Sequence, residues 1–290
     1  MSVKNASKHV VYLKGPNDGP CVVIAGCMHG DEVIGGDILD WLADHLQPGH
    51  IHGEIRLIFG NPVAHTAGKR FIDTDLNRLF TADKLNRISA LPDAQRNVEE
   101  KRAMELCSIF DGADHLLDIH ATGKPTKYPF MYVANTAAHL AEAKLFSAPV
   151  IVCEDTTTSM SDGPTDTYID RQGGRGITYE AGWIGDTGLF DRVRGDVMRY
   201  LNYIGACPNN DYPALNNNPQ VLKIYEEMIA SSDDYTFARE FPNMHEFYKD
   251  DLIAVDNGRE IRADRDCVLI FPKRVIQKGK ETGYLATKES

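Results

Sequence analysis

Apolar residues along the chain follow two rhythms, and the alternation between them predicts the fold. Cys21–Gly26 reads CVVIAG, apolar on both faces, as a central strand covered by helices on both sides should be. Val10–Leu13 is a shorter strand, and the turn residues Gly15, Pro16, Asn17, Asp18 and Gly19 separate the two. From Ile34 onward apolar residues recur at Ile38, Leu39, Leu42 and Leu46, which is a helical stripe. Strand character returns in Glu54–Phe59 (EIRLIF); a helix is predicted within Asn97–Phe110 and a strand in His115–His120. Further strands are predicted at Phe130–Ala134, Val150–Cys153 and Gly176–Glu180, with helices near Ala137–Phe146 and Leu189–Ile204. This alternation gives an α/β domain with a mainly parallel sheet.

The texture changes after about Gly205. The stretch CPNNDYPALNNNPQ is rich in Asn and Pro and reads as a boundary. Beyond it Asp250–Thr287 has an all-β pattern, with an Asp256-Asn257-Gly258 turn between two strands. Val221–Ala230 (VLKIYEEMIA) fits a helix nearly as well as a strand. The expected organisation is therefore a larger domain over 1–205 and a smaller β domain over 206–290.

Composition narrows the function class. With 42% hydrophobic and 25% charged residues, the 290-residue chain can bury a substantial core. A net charge of -11 argues against a nucleic-acid surface and against attraction to anionic lipid, leaving small-molecule chemistry. An acidic substrate would then need locally placed arginines. The six cysteines (Cys21, Cys27, Cys107, Cys153, Cys207, Cys267) are scattered without a CxxC pair, which suits buried thiols in a reducing compartment. The N-terminal segment lacks a signal-peptide apolar stretch, and no apolar run is long enough to span a bilayer, so a cytoplasmic location is expected.

Three segments carry candidate chemistry. GCMHGDEVIGG, directly after the buried strand, sets His29 and Glu32 three apart at a strand's carboxyl end, where ligands bind in open α/β sheets. Imidazole nitrogen and carboxylate oxygen both suit zinc, and a catalytic site takes three protein ligands. His120, at the end of HLLDIH, fits as the third. Asp118 shares its strand face and could fix a histidine tautomer. An isolated HxxE is common by chance, so the second strand end is what gives the pair weight. The other eight histidines read as surface or packing residues.

GKRFIDTDLNRLF (Gly68–Phe80) has no clear period. Its plain reading is a solvated loop with a capping Asp; its functional reading is that Arg70 and Arg78, with Asn77, grip carboxylate or carbonyl oxygens. GGRGITYEAG (Gly173–Gly182) puts Glu180 at a strand end, either as an acid/base beside an activated water or as a glutamate paired with Arg171 or Arg175. Neither a G-x-S-x-G elbow nor an HExxH helix is present.

Taken together, H-G-D-E at His29–Glu32, D-L-N-R at Asp75–Arg78, D-I-H at Asp118–His120 and Y-E-A-G at Tyr179–Gly182 resemble, in content and order, the succinylglutamate desuccinylase/aspartoacylase family. The resemblance spans about residues 20 to 185. It implies a zinc-carboxypeptidase-like, mainly parallel mixed sheet flanked by helices over 1–205, followed by a small all-β C-terminal domain that helps close the site. It also implies one zinc ion per chain held by His29, Glu32 and His120, with Glu180 as general acid/base. Arg70 matches the arginine that polarises the scissile carbonyl, and Asn77 and Arg78 match residues that hold the substrate carboxylate. The implied reaction is hydrolysis of an acylaspartate- or acylglutamate-like N-acyl amino acid, a small-molecule partner, and nothing here opposes a homo-oligomer. The family's further substrate-binding arginine has no clean register with Arg171 or Arg175, and its C-terminal tyrosine has no assigned counterpart, although Tyr284 is near. Two rivals are a metallocarboxypeptidase acting on short peptides and a non-catalytic zinc-dependent ligand sensor. The short Glu32–His120 interval and the DLNR loop count against the first. Retention of three ligands with Glu180 counts against the second.

Overall fold

The computed structural model describes residues 9–154, 163–208, 211–213 and 215–289. Its N-terminal part holds strands β1 (Val10–Lys14), β2 (Asn17–Gly26), β3 (His52–Phe59), β4 (His115–Thr122), β5 (Phe130–Ala134), β6 (Val150–Glu154) and β7 (Arg175–Trp183). Between and after them lie helices α1 (Val33–His45), α2 (Pro62–Thr66), α3 (Ala82–Ala90), α4 (Val98–Phe110), α5 (Ala137–Ala143), α6 (Thr165–Arg171) and α7 (Leu189–Tyr203). The C-terminal part contributes β8 (Gln220–Ile229), β9 (Thr236–Phe237), β10 (His245–Phe247), β11 (Leu252–Asp256), β12 (Arg259–Arg262), β13 (Cys267–Ile270) and β14 (Glu281–Lys288). Among the described residues no helix is long and apolar enough to cross a membrane.

One sheet runs in the order β1-β3-β2-β4-β7-β5-β6-β8-β14-β13-β10, and a small one in the order β12-β11-β9. The pairs β3/β2, β2/β4, β4/β7, β5/β6 and β6/β8 are parallel, while β5 meets β7 antiparallel. The result is the mixed α/β architecture expected from the pattern. Alternation along β2 explains its unbroken apolar run. Val22 and Ile24 face a core closed by Ile38 and Leu42 of α1 and Val197 and Tyr200 of α7. Val23 and Ala25 face the opposite core with Ile88 of α3 and Leu106 and Phe110 of α4. Helices therefore cover both faces.

Three local expectations change. The residues read as a five-residue turn narrow to Gly15 and Pro16, because β2 already begins at Asn17, which pairs with His52. The helix expected near Ala137–Phe146 ends at Ala143. The ambiguous Val221–Ala230 segment lies almost wholly in β8, whose backbone is claimed on one side by β6 and on the other by β14. The main sheet thus continues past residue 205. We propose that the boundary between 1–205 and 206–290 marks where helices give way to strands, within a continuous sheet.

The turn after β2 requires glycine on both of its sides. A Cβ on Gly26 would lie 2.6 Å from the Gly35 carbonyl carbon, and one on Gly35 would lie 2.7 Å from the Gly26 Cα. Backbone-to-backbone contact lets α1 start directly against the sheet end, which fixes the intervening His29–Glu32 loop.

Candidate active site

Chain segments converge at the carboxyl end of β2 and β4. Cys27 turns the chain out of β2 with a φ of 55°, and Glu32 occupies the cap position of α1. His120 sits near the end of β4, directly opposite Glu180 of β7 in the parallel register. His29, Glu32 and His120 are all buried, and one ligand atom from each lies within 4.8 Å of the others.

The two imidazoles are held alike. His29 Nε2 lies 3.1 Å from Asp75 Oδ1, and His120 Nε2 lies 3.1 Å from Asp118 Oδ2. Each carboxylate favours the tautomer with hydrogen on Nε2, which turns the Nδ1 lone pair inward. His120 Nδ1 lies 2.8 Å from Glu32 Oε2. His29 Nδ1 is 2.8 Å from Glu32 Oε1 but outside hydrogen-bonding geometry, a buried polar atom without a bond. Two inward lone pairs and a carboxylate form the donor set of a divalent-cation site, and the residues fit zinc.

The electrostatics agree. Burial pulls the His29 pKa down, but Glu32 and Asp75 outweigh it and the net shift is upward. Burial likewise opposes, and Asp118 and Glu32 reverse, so that His120 ends well above its ordinary value. Glu32 is held far below the usual carboxylate range, because His29 and His120 overcome its burial. The acids thus bind positive charge strongly at this point, and a cation there would replace the imidazole protons.

The loop of Gly68–Phe80 supplies the next layer. Asp75 accepts a hydrogen bond from the Asn77 backbone N–H and so caps the short 3₁₀ turn Leu76–Arg78. Arg70 reaches Glu32 Oε1 at 3.0 Å. The Asn77 amide lies 3.3 Å from His120 Nε2, and its oxygen accepts the Thr165 N–H. The expected capping Asp is therefore present, and its turn directs Asn77 and Arg78 to the cavity wall, which Arg70 of the same loop also lines.

A cavity of about 610 Å³ opens here, lined by the three candidate ligands and by Arg70, Asn77, Arg78 and Glu180. Burial raises the Glu180 pKa to about 7, against the opposing pull of His120. Among the described residues Glu180 Oε2 is buried without a hydrogen-bond partner. Of the two arginines offered as partners of Glu180, Arg175 donates its Nε to Glu142 instead, and among the described residues no ion pair joins Arg171 to Glu180. Of the eight remaining histidines, none lines this cavity. His139 is buried against Asp170 and His115 near Glu142, which are packing roles.

Comparison with known proteins decides the family. The profile of the succinylglutamate desuccinylase/aspartoacylase catalytic domain matches residues 18–199, more than half of the chain. The chain belongs to the succinylglutamate desuccinylase/aspartoacylase family. A succinylglutamate desuccinylase of Pseudoalteromonas atlantica is 26% identical over 285 residues, covering 89% of this chain and 79% of the relative. One from a Shewanella species is 25% identical, covering 94% and 84%. Among solved structures, succinylglutamate desuccinylase of Vibrio parahaemolyticus superposes with a TM-score of 0.81 at 18% identity, over 97% of this chain and 86% of that one. The product-bound ectoine utilization protein EutE of Ruegeria pomeroyi gives 0.71 at 23% identity, over 96% and 88%.

Several cavity residues of this desuccinylase/aspartoacylase family member escaped the sequence reading. Tyr132, Asp166, Thr178, Lys273 and Arg274 all line the wall, as does Tyr284, which was named there but left unassigned. Thr178 was available from strand alternation, lying two before Glu180 on the same face. Tyr132 needed the β5–β7 register, and Tyr284 needed β14 to cross beside the site. The Tyr284 hydroxyl donates to Glu281, whose other oxygen lies 2.6 Å from Lys273 and 3.8 Å from Arg78. Arg171 and Arg175 do not line the cavity at all.

Proposed function

We propose that this protein is a zinc-dependent deacylase that hydrolyses the amide bond of an N-acyl amino acid. The observation that carries the reading is the convergence of His29, Glu32 and His120 on one point of a cavity that Glu180 and Arg70 also line. Family membership supports hydrolysis of acyl amino acids.

In this reading His29, Glu32 and His120 hold one zinc ion. When bound, the ion supplies Lewis acidity, which makes water a nucleophile near neutral pH and polarises the amide carbonyl. Glu180 receives the proton of the attacking water as oxygen adds to the carbonyl carbon. A carboxylate with a pKa raised to about 7 is matched to this transfer. Glu180 then delivers the proton to the amide nitrogen as the C–N bond breaks, releasing a carboxylic acid and a free amino acid. Arg70 donates to the oxygen on which negative charge develops. Arg78 presents its planar fork to the substrate carboxylate beside the Asn77 amide.

The test is zinc content together with turnover on a panel of N-acyl amino acids, wild type beside Glu180→Ala. About one zinc per chain and activity lost in the variant without loss of metal support the proposal. Stoichiometric zinc without turnover on any member favours a ligand sensor. Release of amino acids from dipeptides in preference to N-acyl amino acids favours a carboxypeptidase. Absence of bound metal refutes the mechanism.

A further inference from the structure

The cavity wall around Glu180 is built in rows across the sheet. One row is His120, Glu180 and Phe130, and the next is Asp118, Thr178 and Tyr132, read from the pairings of β4, β7 and β5. The rows are two residues apart along the strands, roughly 6.6 Å. Asp166 of α6 lies over the second row, accepting a hydrogen bond from Thr178 Oγ1 at 2.8 Å and lining the cavity. It is 4% exposed.

The hydrogen bonds that Asp166 accepts all come from neutral donors. Its other hydrogen bonds come from the Thr167 backbone N–H and hydroxyl, and no ion pair joins it among the described residues. Burial raises its pKa to about 6, and the charged groups that act on it, Asp170 and Asp118, push it further up. The cavity lining also holds the cations Arg70 and Arg78 on the substrate loop, Lys124 after β4, and Lys273 and Arg274 after β13. The wall therefore combines these cations with a buried carboxylate that no ion pair neutralises among the described residues.

We infer that Asp166 forms a cation-selecting subsite, and that the amino acid released by this enzyme carries an ammonium group on its side chain. The inference deepens the deacylase reading and rests on it for the word "released". With the substrate carboxylate on Arg78 and the scissile nitrogen at Glu180, a side chain following the strand direction reaches the Asp166 row after roughly 6.6 Å, the length of an extended three- or four-methylene arm. An ammonium there pairs with Asp166 and offsets the desolvation that the carboxylate bears alone. A second carboxylate in the same position would face Asp166 and Asp118 with like charge. The two arginines just before Glu180 cannot receive it, since Arg175 is engaged by Glu142 and neither lines the cavity.

The test separates binding from turnover. Calorimetry on the zinc-loaded protein measures free L-lysine, L-ornithine, L-norleucine and L-aspartate, with wild type and Asp166→Asn, and the Nα-acetyl derivatives of all four are assayed for hydrolysis. Lysine or ornithine is expected to bind about tenfold or more tighter than norleucine in the wild type, the size of one charge-assisted contact. Asp166→Asn is expected to erase that preference while norleucine affinity stays within about twofold. Equal or tighter binding of norleucine or aspartate by the wild type overturns the inference, as does a preference that survives in a folded Asp166→Asn protein. Should that variant fail to fold, Thr178→Val, which removes the hydroxyl that orients Asp166, serves instead and is expected to weaken lysine binding alone. Selective diamino-acid binding without hydrolysis of any acetyl derivative keeps the subsite and sinks the deacylase reading. Hydrolysis that prefers acetylaspartate or acetylnorleucine does the reverse.

Discussion

Glu99 offers the sharpest test of how the substrate loop is held. It belongs to α4, is fully buried, and among the described residues hydrogen-bonds none of the proposed metal ligands. Its Oε1 accepts the Ile72 N–H at 2.7 Å and the Asn61 amide at 2.9 Å, while its Oε2 accepts the N–H groups of Asp73 and Thr74 at 3.0 and 3.2 Å. One carboxylate thus fastens the backbone midway between Arg70 and the Asp75–Arg78 turn. Glu99→Gln preserves the shape but turns one oxygen into an NH₂. Either orientation of that amide sets a donor against two donors, so flipping rescues nothing. At about 1–3 kcal/mol per unsatisfied group, with partial relief from water, the loss comes to about 3 kcal/mol. For a chain of this size that corresponds to a fall in Tm of roughly 6–12 °C.

The pH dependence follows from the same contacts. Burial alone would raise the Glu99 pKa, but the three backbone N–H groups and Asn61 outweigh it and hold it below the ordinary 4.5. A depressed carboxylate stabilises the fold above its unfolded pKa and loses that contribution as pH falls through its folded value. The Tm gap between wild type and variant is therefore full at pH 7 and narrows once pH drops below about 4.5. The assay is thermal melting by circular dichroism across that range, with parallel zinc content and kinetics. Zinc content is expected to stay, because the ligands come from other segments, while kcat/KM falls about tenfold as Arg70, Asn77 and Arg78 lose their fixed geometry. A Tm change below about 2 °C at pH 7, or a gap independent of pH, refutes the account.

Other consequences follow from the same geometry. Asp75→Asn removes the charge that orients His29, and a chelator competition should show metal affinity about 10–100-fold weaker. Wild-type metal affinity should rise with pH through the range where His29 and His120 give up protons held above the ordinary 6.5; titrations at three pH values with equal affinity would contradict it. Arg78→Lys exchanges a planar fork for a point charge, and steady-state kinetics should show KM up about tenfold with kcat nearly unchanged. Gly35→Ala drives a methyl into the Gly26 backbone and should cost about 3 kcal/mol or more by denaturant melting, with zinc binding impaired through the displaced His29–Glu32 loop.

What the sequence revealed and what it hid divide along one physical line. Strand ends with a local signature were legible: the apolar run of β2 located His29 and Glu32, and the period of two in β4 paired Asp118 with His120, which the 3.1 Å contact bears out. Asp75 was recognisable as a cap of its own turn, since that bond spans two residues, whereas its grip on His29 crosses 46 positions and has no pattern to betray it. Glu99 is similar, because a glutamate in the first turn of a helix looks like ordinary dipole compensation until its partners are known. Arg171 and Arg175 misled for the converse reason: nearness in sequence to Glu180 suggested a shared site, but α6 and the start of β7 carry them away from it. Asp166, only a few residues earlier, is brought to the wall by the packing of α6 on β7.

The far wall depended on a single unresolved element. Tyr284 and Glu281 reach Arg78 because β14 lies beside β8, and β8 lies beside β6. Its residues fitted a helix nearly as well as a strand, since Val221, Ile224, Tyr225 and Met228 fall at i, i+3, i+4 and i+7, while the buried Leu222, Ile224 and Met228 share the strand's period of two, which Glu226 interrupts. Backbone pairing with two neighbours removes that ambiguity, and it does so through contacts more than fifty residues apart in the chain. The strand that closes the cavity therefore acquires its position from sheet topology, while the proposed metal-binding end acquires its own from the strand-to-helix turn of His29 and Glu32 and the end of the neighbouring strand β4.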